Sequence, residues 1–363
     1  MPARPILLAI LAALCYGVSA PFSKLLLAYV SPALMAALLY LGAGLGMLLL
    51  QWLRGKASAA RGKISRPQGA GAAQPARKEA RITRRELTYV AAMIALDIAA
   101  PVLMMLGLDH TAPATASLLN NFEIAATAVI ALLFFHEAVG RRMGLAIAFL
   151  TLGSMLLSVQ DITTLSFSPS ALLIVLACAC WGLENNCTRM LSLKDPMQIV
   201  ILKGLGSGSG ALLIAILSGA PLPGLVPILL AMLLGLAAYG LSVYLYILAQ
   251  RQLGAARTSA YYAFAPFLGA ALSFAFFAQS PGPSFFLALP LMLLGAYLAA
   301  FEKHSHLHRH EAAEHDHRHS HDDGHHTHIH VPPVTGEHSH GHTHEQMTHQ
   351  HPHTPDMHHI HPH

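Results

Sequence analysis

The chain has 363 residues, 54% of them hydrophobic and 11% charged, with a mean hydropathy of +0.49. Soluble domains carry about 25% charged residues, so the composition excludes a water-soluble globular protein and indicates a polytopic membrane protein. The formal charge of +4 reports topology rather than a nucleic-acid partner: ten of the 22 Lys and Arg lie between Arg54 and Arg85, and 23 of the 25 His follow Lys303.

A helix needs about 20 apolar residues to cross a hydrocarbon core of roughly 30 Å, because its backbone polar groups must be satisfied internally. Ten stretches meet or approach this: 5–29, 32–53, 86–108, 113–135, 141–159, 169–191, 196–218, 224–249, 255–278 and 283–302. Arg4 before the first run imitates a signal peptide, but Leu14 before Cys15 does not suit a lipoprotein cleavage site, so the run reads as a first span. Ser31-Pro32, Ser168-Pro169 and Asp195-Pro196 pair a capping side chain with a proline suited to the first helical position. Thr83 to Glu86 reads as a capping box. Cys15, Cys178, Cys180 and Cys187 all sit in apolar segments and read as packing residues, not as a disulfide framework.

With the N-terminus inside, Arg4, the basic loop 54–85, Arg141, Arg142, Lys194, Arg251 and Lys303 all fall on the inner side. Both termini are therefore expected in the cytoplasm, and the protein in the cytoplasmic membrane. Lys24 and Arg189 are expected to snorkel from helix ends. The loop 54–85, rich in Ala, Gly, Arg and Lys with Pro67 and Pro75, is expected to be unstructured, either as a solvated linker or lying against anionic headgroups.

The chain repeats itself. Setting Thr115 on Thr258 places Glu123 on Pro266, and setting Cys15 on Cys180 places Tyr16 on Trp181, Gly17 on Gly182 and Lys24 on Arg189. Repeats with an odd number of spans must have opposite orientations, the arrangement of many secondary transporters. The expected fold is an all-α bundle of ten transmembrane helices in two inverted five-helix repeats, 1–160 and 165–302, followed by a disordered histidine-rich cytoplasmic tail, 303–363.

The stretch from Thr115 to Glu137, followed by Arg141, Gly144 and a span ending near Gly153, resembles the EamA-type repeat of the drug/metabolite transporter superfamily. Tyr16-Gly17 and Trp181-Gly182 resemble that family's first-helix aromatic-glycine step, and Pro266 its mid-helix proline. The resemblance covers roughly 5–302 and implies a secondary transporter of small metabolites or drugs. The sequence departs from the pattern where Glu123 replaces a proline, where Ser280 lacks a second Glu, and in the tail.

An ionised carboxylate at the bilayer centre costs about 2.5 to 3.5 kcal/mol on insertion scales, so Asp97, Glu123, Glu184 and Lys203 call for a cavity or a partner. On a continuous helix Glu123 shares a face with Ala116, Asn120 and Thr127. A hairpin turning near Thr111 brings Asp97 to a similar depth, where two carboxylates suit proton or cation binding. In the structural alternative, Asn120, Asn121 and Glu123 hydrogen-bond neighbouring helices, and Asp97 mends the turn loosened by Pro101. Glu184 and Lys203 are expected to meet across a hairpin turning near Lys194, as a clamp or as a gate. Cys180, Glu184 and Cys187 share a helix face that could take a soft metal, and Trp181, Tyr239, Tyr244, Tyr261 and Tyr262 either pack or line a solute cavity. Glu137 reads as a turn or ion-pair residue beside Arg141. No Walker loop, nucleophile motif or zincin pattern occurs, which argues against an enzyme or an ATP-driven pump.

From His304 to His363, 23 of 60 residues are His. His304, His306, His308, His310, His315, His317, His319, His321, His338, His340, His342 and His344 are candidate ligands for Zn, Ni, Co or Cu, although no cofactor is required. The leading expectation is export of a small solute by alternating access past Asp97, Asn120, Asn121, Glu123, Glu184 and Lys203. The alternatives are efflux of a divalent metal with the tail as collector or sensor, and a membrane-anchored metal sensor. The partners expected are the lipid bilayer, a small-molecule substrate and transition-metal ions. Oligomeric state is open.

Overall fold

A computed structural model describes residues 3–64, 86–135, 140–161, 166–191, 195–253, 258, 261–277 and 281–300, with tail segments 304–310, 313–319, 338–344 and 347–353. The chain forms two units, one reaching to Glu302 and the other comprising Lys303–Thr354. Among the described residues of the first unit, nine helical stretches are long and apolar enough to cross a membrane, and Ala265–Phe276 is a shorter apolar helix within the expected ninth span.

The first span comprises α1 (Ala3–Gly17) and α2 (Ser19–Leu26), and the second is α3 (Pro32–Ile64). The third is α4 (Leu87–His110), the fourth α5 (Pro113–Leu119) and α6 (Phe122–Phe135), and the fifth α7 (Arg141–Ser158). The second repeat begins with α8 (Pro169–Arg189) and α9 (Pro196–Leu217). Its eighth span runs from α10 (Leu225–Gly235) through a π-helical turn (Leu236–Leu241) into α11 (Ser242–Leu253). α12 (Ala265–Phe276) and α13 (Pro283–Ala300) complete the unit. A short antiparallel pair, β1 (Val159–Asp161) and β2 (Ser166–Phe167), joins the repeats and has no counterpart in the expected elements.

Two of the three expected cap-and-proline starts form as expected. Ser168 accepts from the Ala171 N–H and Asp195 from the Met197 N–H, whereas the buried Ser31 hydroxyl has no hydrogen bond among the described residues. α4 begins at Leu87 with Glu86 at its N-cap position and no side-chain cap bond there. Thr83, the other half of the expected capping box, lies outside the described residues, as does Glu137. α3 continues past Arg54 to Ile64, so the first part of the basic loop is helical. Its Ala, Lys and Arg content favours helix once a long span has nucleated it.

The fourth span is broken where the apolar run looked continuous. The Asn121 N–H bonds the Leu118 carbonyl (3.0 Å) and the Glu123 N–H bonds the Asn120 carbonyl (3.1 Å), each three residues back instead of four. Asn side chains compete locally for backbone groups and favour such turns. The ninth span turns at residues 263 and 264, which the repeat offset sets on Asn120 and Asn121. Glu123 and Pro266 are each the second residue of the half helix that follows.

Glycines let the repeats interlock. Pro32, Gly42, Gly44 and Gly46 of α3 recur at one constant spacing as Pro196, Gly206, Gly208 and Gly210 of α9. A Cβ on Gly44 would lie 2.7 Å from the Leu205 nitrogen, and one on Gly208 would lie 2.7 Å from the Leu41 nitrogen. Gly17 faces the Ala265 carbonyl and Gly269 of α12, while its repeat mate Gly182 faces Ala126 and Thr127 of α6. Ala126 and Gly269 are themselves repeat mates. The same doubling runs through the helix pairs: α1 packs on α11 as α8 packs on α4, and α1 on α12 as α8 on α6. α3 with α9 and α7 with α13 pair each span with its own counterpart. The core between them holds Met35, Leu39, Met105, Leu108, Leu118 and Ile174, while Phe134 and Leu217, 72% and 78% exposed, lie on the apolar outer surface.

Gly44→Ala should separate α3 from α9 and cost about 1–3 kcal/mol, the usual range for overpacking, measured as a lower melting temperature in detergent. Gly144→Ala, where no atom lies within 4 Å of the added Cβ, should melt like the parent.

In the tail, β3 (His304–His310) pairs antiparallel with β6 (Met347–His353), and β4 (Ala313–His319) with β5 (His338–His344). These segments depart from the disorder expected of the tail. Their His residues recur at every second position, which matches the pleat of a strand, and backbone pairing needs no apolar core. His321 lies outside the described residues.

Candidate functional site

The charged residues inside the spans gather around α8. Lys203 of α9 places its Nζ 2.9 Å from Glu184 Oε1 of α8 and 3.3 Å from Asp97 Oδ2 of α4. Asp97 and Glu184 are only 1% and 2% exposed, so each relies on Lys203 for charge compensation. The Tyr40 hydroxyl donates to Asp97 Oδ1 at 3.0 Å and accepts from Trp181 Nε1 at 3.3 Å. Thr188, one turn along α8, donates its hydroxyl to Glu184. The hairpin counting behind the Glu184–Lys203 pair thus predicts a contact that forms.

The carboxylate pair expected of Asp97 and Glu123 is not what forms. Lys203 joins Asp97 to Glu184, and Glu123 is held by Asn185 Nδ2 at 2.8 Å. α4 is continuous through Pro101, and the Asp97 side chain faces Tyr40 and Lys203 instead of mending a turn. The shared face expected of Glu123 with Ala116 and Asn120 depended on an unbroken helix. The break at Asn120 and Asn121 leaves Thr127, whose hydroxyl donates to the Glu123 carbonyl at 2.7 Å.

The polar groups freed by the break are met locally. Asn121 Nδ2 donates to the Leu118 carbonyl at 3.1 Å, and the Cys178 thiol approaches the Leu119 carbonyl at 3.6 Å and Asn120 Oδ1 at 3.8 Å. Asn121 is fully buried, and its Oδ1 carries no hydrogen bond among the described residues. Glu123 and Asn120 are half-buried. Glu123 is the second residue of α6, where the positive end of the helix dipole favours negative charge.

Tyrosines adjoin these residues. Tyr16 packs on Tyr262 (ring centroids 5.5 Å) and Tyr239 (6.2 Å), and Tyr239 packs on Tyr40 (5.3 Å). Tyr239 lies in the π-helical turn and accepts from Ser19 at 3.1 Å. Trp181 is a buried donor, and Tyr244 accepts from Arg54 at 2.5 Å, so neither is an unattached cavity aromatic. Lys24 donates to the Leu108 and Asp109 carbonyls at 2.8 and 2.5 Å, capping α4. Among the described residues of the membrane unit, no group of three or more His, Cys, Asp and Glu side chains is arranged to hold a metal ion, the Cys180, Glu184 and Cys187 face included.

Asn185, Asn186 and Tyr40 are site residues that sequence reasoning passed over, and Tyr16, read there only as part of an aromatic-glycine step, joins them. The Asn185-Asn186 pair directly after Glu184 echoes Asn120-Asn121 and offered a signal. Tyr40 offered none beyond a hydroxyl in an apolar run. Tyr40→Phe removes the Asp97 donor and orphans Trp181 together, and should cost about 1.5–3 kcal/mol of stability in detergent, the range for hydrogen bonds to charged groups. Tyr29→Phe, at a residue 70% exposed, should be neutral.

Interrupted apolar helices around a buried cluster of charges define a polytopic membrane protein with a polar site inside its bundle. The chain belongs to the EamA-like transporter family, whose sequence profile matches residues 3–159 and again 168–301. It is similar to an uncharacterized transporter of Methanothermobacter thermautotrophicus, 26% identical over an alignment of 281 residues that covers 73% of this chain and 77% of the relative. A protein of known crystal structure superposes with a TM-score of 0.54 at 18% identity, covering 82% of this chain and 95% of that one, a likeness of fold alone.

Proposed function

We propose that the protein is a secondary transporter of the cytoplasmic membrane that exports a small organic solute bearing a cationic group, most simply an amine, in exchange for protons. Its two repeats are inverted, both termini are cytoplasmic, and alternating access exposes a site at the repeat interface formed by Asp97, Asn120, Asn121, Glu123, Glu184 and Lys203. The observation that carries this reading is Glu123, half-buried beside a break in its span and held by Asn185. Asp97 and Glu184 share Lys203 while Glu123 is held by the neutral Asn185 amide, so the site has room for another positive charge. The neighbouring tyrosine faces suit an organic cation, an attraction of about 0.5–2 kcal/mol each.

Divalent metal efflux has less support from the membrane unit, because Lys203 stands between Asp97 and Glu184, where the ion would bind.

The test is transport in proteoliposomes holding the full chain, with an imposed pH gradient and a panel of labelled organic amines, neutral and anionic analogues, and Zn²⁺. Gradient-driven movement of amines, retained after deletion of 304–363, is the expected result. Movement of Zn²⁺ alone, of anions alone, or of nothing in the panel would overturn the proposal, the last favouring a membrane-anchored sensor.

A further inference from the structure

We propose that the tail is a two-part divalent transition-metal site whose ligands are set by strand register: histidines directly opposite one another on β3 and β6, and again on β4 and β5. The inference is independent of what the membrane unit carries.

In the first ladder His304 stands opposite His353, His306 opposite His351 and His308 opposite His349. In the second, His315 stands opposite His342, His317 opposite His340 and His319 opposite His338. Residues two apart on a strand lie on one face, and directly opposed residues share it. Each ladder therefore collects three His pairs on a single face. Opposed Cβ atoms are about 4.5–5.5 Å apart, a span that two imidazoles bridge through one ion at Zn–N distances of about 2.0–2.1 Å. Successive pairs are about 7 Å apart along the strands, so two pairs supply the four nitrogens of a tetrahedral ion. Neutral imidazole suits Zn, Ni, Co and Cu.

The register has a signature that random His enrichment does not explain. His occupies even-numbered positions in β3 and odd-numbered ones in β4, and even-numbered positions in β5 and odd-numbered ones in β6. In this pairing an even position always faces an odd one. Three positions separate His310 from Ala313 on one arm and Met347 from His344 on the other, so both ladders belong to one register. The His phase therefore changes on both arms at the same level, where His310 faces Met347 and His344 faces Ala313, and on either side of that level His again stands opposite His. A tail that chelates as flexible chain needs His density only, with no matched phase.

The experiment is Zn²⁺ titration of the full chain in detergent micelles against a chromophoric chelator, with Co²⁺ absorption reporting tetrahedral coordination. One variant carries a glycine inserted between Glu345 and Gln346, which keeps every His but slides β6 by one residue against β3. A second adds a compensating glycine between Glu311 and Ala312, which slides β3 to match. The single insertion should weaken about half of the Zn²⁺ binding by at least tenfold and leave the β4–β5 sites intact, and the double insertion should restore it. Unchanged affinity and stoichiometry in the single insertion would overturn the proposal, and so would a loss that the double insertion does not repair.

Discussion

Lys203→Met should destabilise the protein by about 3–5 kcal/mol, the cost of removing one partner from a buried charge pair. Lys203 is the ion partner that lies on both Asp97 and Glu184, and those carboxylates are almost wholly inaccessible. Without the ammonium they face each other across α4, α8 and α9 with only the Tyr40 and Thr188 hydroxyls as donors among the described partners. The loss should appear as a lower melting temperature and lower yield of monodisperse protein in detergent. Combining Asp97→Asn, Glu184→Gln and Lys203→Met removes the charges together and should recover most of the stability, since a buried ion pair is often replaceable by neutral groups of similar volume. Failure of the triple variant to recover would mean that Lys203 acts through packing and not through charge.

Glu123→Gln should leave folding almost unchanged and remove gradient-driven transport. Glutamine keeps the volume of the side chain and an acceptor for Asn185 Nδ2, but it cannot alternate between a proton and a cation. If the coupling carried by this carboxylate is of the usual size, about 1–3 kcal/mol, its removal reduces gradient-driven accumulation about 5–150-fold. Melting within about 1 kcal/mol of the parent separates this outcome from a folding defect. Wild-type accumulation in Glu123→Gln would remove the carboxylate from the coupling step.

The contrast between the two variants follows from what each residue touches, and it also explains what could be read from sequence. Spans were legible because a bilayer demands long apolar runs, and the Glu184–Lys203 contact was legible because hairpin geometry turns residue counting into depth. The break at Asn120 and Asn121 was not, since hydropathy averages over a window and sees the fourth span as one run. Residue counting put Glu123 level with Asp97, but depth does not fix a partner: Glu123 is held by Asn185 and Asp97 by Lys203. The matched glycines of α3 and α9 stood in the sequence at constant spacing, but their use depends on which span each meets. The helical extension of α3 to Ile64 escaped because charge and small residues read as loop when the preceding span is left out.

Alternating access around the break is tested most directly at Asn120. In a chain whose Cys15, Cys178, Cys180 and Cys187 are replaced by alanine, Asn120→Cys places one thiol at the half-buried turn. Membrane-impermeant thiol reagent is then applied to one side of proteoliposomes of known orientation, then to the other. Labelling from either side, with the balance between them shifted by an imposed pH gradient, is the result expected of a transporter that opens to each side in turn. A thiol reached from one side alone under every gradient would contradict it.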